Sequence, residues 1–169
     1  MKKIFAVIFI LITLSCNDGN FEIASFEFEE KINYCGDYVL YKLSTLEHKE
    51  ALIVTLTSQQ IKQSDEPVLP VNISETGLYT VTYRIFDDAV SSSYFCQAVP
   101  PVEPGVVKNW VGKDGIIFVQ NEPIYDEDEV TVIAYRHIIV INDLVLTNGE
   151  ETVIFDPSYL YGEFETEVE

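Results

Sequence analysis

After an almost wholly apolar run over residues 4–14, apolar and polar residues alternate along most of the chain. Residues 26–34 place Phe26, Phe28, Ile32 and Tyr34 on one face and Glu27, Glu29, Lys31 and Asn33 on the other, the period of a half-buried strand. Gly36-Asp37 turns the chain, and residues 38–43 and 51–57 are rich in β-formers. The polar stretch 58–67 reads as a loop. Residues 68–73 predict an edge strand, because Pro70 has no N–H to give a second neighbour. The alternation is clearest over 78–86, where Tyr79, Val81, Tyr83 and Ile85 interleave with Thr80, Thr82 and Arg84, and it predicts a central strand. Asp87-Asp88 leads into a further strand over 91–98, ended by Val99-Pro100-Pro101. One short helix is predicted over 104–111: Pro104 suits a first helical position, Gly112 a C-terminal cap, and Trp110 would anchor it to the sheets. A strand over 115–120 follows.

The last third predicts a long hairpin. Residues 130–147 are nearly all β-formers, with a bulge expected at Asn142-Asp143, and 152–155 returns after Asn148-Gly149. A two-residue turn there sets Thr147 opposite Glu150, Leu146 opposite Glu151, Val145 opposite Thr152 and Leu144 opposite Val153. Residues 159–164 continue the sheet. The pattern therefore predicts an all-β fold, an antiparallel β-sandwich of roughly nine strands with one short helix, and a β-barrel is the alternative. Helices do not alternate with strands as a parallel sheet requires.

Composition adds a core and an address. Hydrophobic residues make up 47% of the 169, enough for one domain, taken as residues 26–169. Met1-Lys2-Lys3 followed by a run over 4–14 that is apolar except for Thr13 reads as a signal peptide over 1–15, too short to span a bilayer. Thr13-Leu14-Ser15-Cys16 resembles a bacterial lipobox, with Thr13 in place of the usual Leu. The resemblance implies cleavage before Cys16 and acylation of Cys16, with residues 16–25 as lipidated cysteine and tether. Asn17-Asp18-Gly19-Asn20 is similar to the tether of Bacteroidota-type lipoproteins, and the layout resembles small surface lipoproteins of that type. This implies an outer-membrane location, on either the surface or the periplasmic face.

Charge then excludes some partners. There are 28 acidic and 10 basic residues, and loss of Lys2 and Lys3 with the leader takes the net charge from −18 to −20. Nucleic acid and anionic headgroups would repel such a body, so the membrane is reached through the lipid on Cys16 alone. The two other cysteines, Cys35 and Cys96, are expected to pair in an oxidising compartment, closing a loop of 61 residues.

Candidate chemistry is sparse. His48 lies in a charged turn and His137 in a strand, too few ligands for zinc. Asp126, Asp128 and Glu129 belong to an acidic run whose carboxylates suit calcium, although adjacent strand residues point to opposite faces. Ser91-Ser92-Ser93 lacks the Gly-x-Ser-x-Gly elbow of a hydrolase, and 28 acids make any one carboxylate pair uninformative. Ten tyrosines and one tryptophan could stack on sugars but equally fill a sandwich core. The expectation is a non-enzymatic, acyl-anchored envelope lipoprotein without cofactor or metal, serving as an interaction or structural module for a protein or glycan partner. A glycan- or calcium-binding module is the second reading and a hydrolase the third.

Overall fold

The computed structural model describes residues 26–36, 38–97, 99 and 101–168. The leader, Cys16 and the tether over 16–25 lie outside the described residues, as does Asp37 of the first predicted turn. Nine strands and one helix occur among the described residues: β1 (Asn33–Cys35), β2 (Val39–Leu43), β3 (Glu50–Thr55), β4 (Val71–Asn72), β5 (Thr80–Phe86), α1 (Ser92–Phe95), β6 (Val106–Tyr125), β7 (Val132–Thr147), β8 (Thr152–Ile154) and β9 (Ser158–Glu167). All pairings are antiparallel, in one sheet ordered β1-β2-β3-β5-β6-β7-β8, with β4 also on β6 and β9 also on β7. The sheet does not close into a barrel.

A bend in the two longest strands makes this single sheet sandwich-like. The first part of β6 pairs with β5, from Phe86↔Val106 to Thr82↔Val111, while Ile116 and Ile117 pair with β4. Near the middle of β6, Asp143 and Leu144 of β7 oppose the single residue Gly115. Such a bulge bends the strand and raises its twist. It is built from Asp143 at φ 52° and Gly115 at φ 129°. Beyond the bend, β4, the end of β6, the start of β7 and β9 lie over β1, β2, β3 and β5. Ile32, Leu40, Leu52, Val81, Tyr83 and Trp110 meet Ile117, Ile139, Ile141, Tyr161 and Phe164 between the layers.

Strands β2 and β3 are buried on both faces, which is why Leu40-Tyr41-Lys42-Leu43 and Ala51-Leu52-Ile53-Val54 read as continuous runs. Their second face packs Tyr41, Leu43, Ala51 and Ile53 against Phe86, Val90 and Tyr94, under α1. The Cys35–Cys96 disulfide, with Cα atoms 5.2 Å apart, ties the end of β1 to the residue after this helix.

The helix stands where a strand was expected, and the reverse. Tyr94 and Phe95 are adjacent yet pack into the same cluster. Neighbouring strand residues point to opposite faces, so only a helical turn achieves this. Conversely, residues 104–111 do not form the predicted helix. Trp110 and Gly112 are buried while Asn109 and Lys113 are exposed, a period of two. The free edge of β5 recruits Val106-Val107 and its successors, and tertiary pairing overrides the local helix signals. The predicted strand over 26–34 shrinks to β1 plus one bridge, Phe28↔Ser44. Edge strand 68–73 shortens to β4, and 115–120 is part of β6.

The hairpin forms in a different register. Thr147 faces Thr152, Leu146 faces Val153 and Val145 faces Ile154, so the loop holds four residues instead of two. Asn148 Oδ1 accepts from the amides of Glu150 (2.9 Å) and Glu151 (2.7 Å). The Asn side chain thus makes an Asx turn, and Gly149 alone supplies the positive φ, 92°. The slip is two residues, so every side chain keeps its expected face.

Candidate functional site

The two layers part at one end, beside β1 and the end of β9. A concavity of about 580 Å³ opens there, lined by Tyr34, Ile133, Ala134, Glu165, Glu167 and Val168. Tyr34 is 53% exposed, and its ring rests on Phe164 with centroids 5.2 Å apart. Ile133 and Val168 are also large exposed apolar side chains. Glu165 lies 3.5 Å from Arg136, its register partner on β7.

The inward residues of β9 next to these carboxylates, Phe164 and Thr166, lead to a buried polar chain. Asn121 on β6 donates Nδ2 to the Gln60 carbonyl, 3.1 Å away. Its Oδ1 therefore faces His137 Nδ1, at 2.6 Å. It follows that Nδ1 carries the imidazole proton, leaving Nε2 to accept from Thr166 Oγ1 at 2.8 Å. His137 is fully buried and packs on Phe164. Burial pushes its pKa down to about 4.

Hydroxyl, imidazole and amide follow one another here in the order of a nucleophilic triad. The chemistry differs: an imidazole with a pKa near 4 is a weak base at neutral pH, and an amide cannot stabilise an imidazolium as a carboxylate does. What the chain does is satisfy buried polar atoms while joining β6, β7 and β9 across the end of the sheet.

A pH dependence follows. His137 titrates at about 6.5 when unfolded and about 4 when folded, so the unfolded chain binds the extra proton between these values. Stability from this residue is fully present above pH 6.5 and is lost as pH falls towards 4, by at most about 3 kcal/mol. Urea unfolding at pH 7.5 and 4.5 should show a steeper loss for the wild type than for His137→Gln, both sharing the same carboxylate background. Equal slopes would contradict the assignment.

The other sequence candidates sit apart from this end. His48 is exposed and pairs with Glu29 at 2.9 Å. Ser91–Ser93 precede and start α1, with Ser91 Oγ 2.8 Å from Ser93 Oγ. Asp128 is occupied by its own loop: Oδ1 accepts from the amides of Val130 and Thr131, and Oδ2 from the Thr131 hydroxyl at 2.6 Å. Those bonds hold its carboxyl below the ordinary carboxylate value. Asp126 likewise caps the Glu127 amide, and Glu129, at φ 57°, donates its amide to the Asp126 carbonyl at 2.9 Å. Among the described residues no three acids, histidines or cysteines gather as a metal site. Trp110 is buried against Tyr83, inside the core.

The chain matches no protein-family model, no curated protein and no solved structure. Sequence reasoning passed over Tyr34, Glu165 and Glu167 as site residues. The alternation Glu163-Phe164-Glu165-Thr166-Glu167 was the available signal, since it places three acids on one face of a terminal strand.

Proposed function

We propose that the protein is an acyl-anchored envelope lipoprotein of the outer membrane whose sandwich-like body is a non-catalytic interaction or structural module. The observation that carries this reading is the Cys35–Cys96 bridge. It uses two of the three cysteines and leaves Cys16, at the end of the lipobox-like Thr13-Leu14-Ser15-Cys16, as the sole thiol for acylation. A disulfide also suits an exported chain. The net charge of −18 turns the body away from anionic headgroups, so attachment rests on the acyl chains.

The open end favours a second reading, a glycan-binding module. An exposed Tyr34 ring beside the carboxylates of Glu165 and Glu167 supplies a stacking platform and acceptors for hydroxyls. The acidic loop gives less support to calcium, because the Asp128 oxygens already have partners.

Cys16→Ala tests the anchor. In cells fed labelled palmitate, the wild type should carry label in the membrane fraction, and the variant should be unlabelled and either soluble or an unprocessed precursor. A variant that stays membrane-bound and is processed normally would overturn the lipoprotein reading.

A further inference from the structure

The seam between β1 and β9 is where the sheet fails to close. Part of it is sealed. Lys42 Nζ donates to the Tyr161 carbonyl at 3.0 Å, and Ile32 lies over Gly162, where a Cβ would approach its side chain to 3.2 Å. Tyr161 is an extra residue in β9, between the pairs Val140↔Leu160 and Ile139↔Gly162. Past this bulge the seam widens into the 580 Å³ concavity.

Main-chain directions along this stretch follow from one bond. The Val168 amide donates to Ile133 O on β7, at 3.1 Å. Antiparallel strands alternate in this respect, so Phe164 and Thr166 also point at β7, whereas Glu163, Glu165 and Glu167 point out of the sheet. Two bonds agree with this alternation: Gln63 reaches the Glu167 carbonyl at 2.7 Å, and Lys42 reaches that of Tyr161. Among the described residues β9 pairs with β7 alone. The Glu163 and Glu165 main chains therefore form an open strand edge that runs into the concavity at Glu165.

Side chains on either side of that edge differ. The carboxylates of Glu163, Glu165 and Glu167 line one face, in register with Ile138, Arg136 and Ala134. The inward face offers Tyr34, Ile133 and Val168. An added strand would meet acids with one set of alternate residues and an apolar wall with the other. We infer that this edge takes up an extended segment of a partner protein in which Lys or Arg alternates with apolar residues. Charge selects that occupant. A second copy would set Glu163, Glu165 and Glu167 against their own kind, on bodies of net charge −18. The inference rests on the interaction-module reading and gives it a partner class.

The test uses full-length protein and the peptide acetyl-(Lys-Val)₃-amide. Bound peptide should slow hydrogen exchange at the Glu163 and Glu165 amides at least tenfold. The same peptide with alternate amides N-methylated, which keeps its charge but loses main-chain donors, should bind at least tenfold more weakly. Acetyl-(Glu-Val)₃-amide should not bind, and Glu165→Gln/Glu167→Gln should weaken the lysine peptide while leaving the fold unchanged by circular dichroism. Equal binding of the N-methylated peptide, protection elsewhere on the protein, self-association through β9 or no binding at millimolar peptide would each overturn the inference. None of these outcomes bears on Cys16 processing, so failure here is distinct from failure of the anchor.

Discussion

The double variant Cys35→Ser/Cys96→Ser will be about 4 kcal/mol less stable than the oxidised wild type, the loop-entropy value for a bridge spanning 61 residues. The elements it joins cannot replace it. Among the described residues β1 has three residues and a single neighbouring strand, and α1 has four residues, far below the length at which a helix holds itself. Without the bridge, α1 should leave the cluster of Tyr41, Phe86 and Tyr94 first. Denaturant midpoints give the global loss, and hydrogen exchange at Tyr94 gives the local one. A loss below about 1 kcal/mol would mean that the bridged segments are held by packing alone.

Gly115→Val should cost about 3 kcal/mol or more, and Gly149→Val clearly less. Both glycines have positive φ, 129° and 92°. A β-branched residue is strained at either position, by about 1–3 kcal/mol. Only Gly115 is also crowded: a Cβ there would lie 3.1 Å from Asn142 O and 3.2 Å from Leu144 Cα, which are main-chain atoms that cannot swing aside. At Gly149 nothing lies within 4 Å. Thermal denaturation of the two variants separates strain from crowding. Equal losses would show that the bend tolerates a side chain and that the close approach at Gly115 is unimportant.

The readable parts of this fold were those set by neighbours in sequence. Alternation over 78–86 located β5, the β-formers over 130–147 located β7, and the bulge expected at Asn142-Asp143 lies one residue on, at Asp143-Leu144. Errors arose where distant partners decide. Residues 106–111 become a strand because β5 has an unpaired edge, and residues 92–95 become a helix because two adjacent aromatics share one cluster. No spacing rule joins Gln60, Asn121, His137 and Thr166, or places Tyr34 beside Glu165. Their proximity depends on the bend at Gly115, which brings the end of β9 over β1. His137 itself was legible only as a strand residue.

The bridge also fixes how the body answers a pull from its N-terminal side. Tension entering at Phe26 would detach the short segment before β1 and then reach Cys35. There it passes covalently to Cys96, bypassing β2, β3, β4, β5 and α1, which lie between the two cysteines in sequence. The 61-residue interval cannot be drawn out, which withholds about 200 Å of contour length at ~3.4 Å per residue. The next element in line is β6, held along both edges by β5, β4 and β7. A pull from the N-terminal side would thus be delivered past the three-residue β1 to β6, which is paired along both edges.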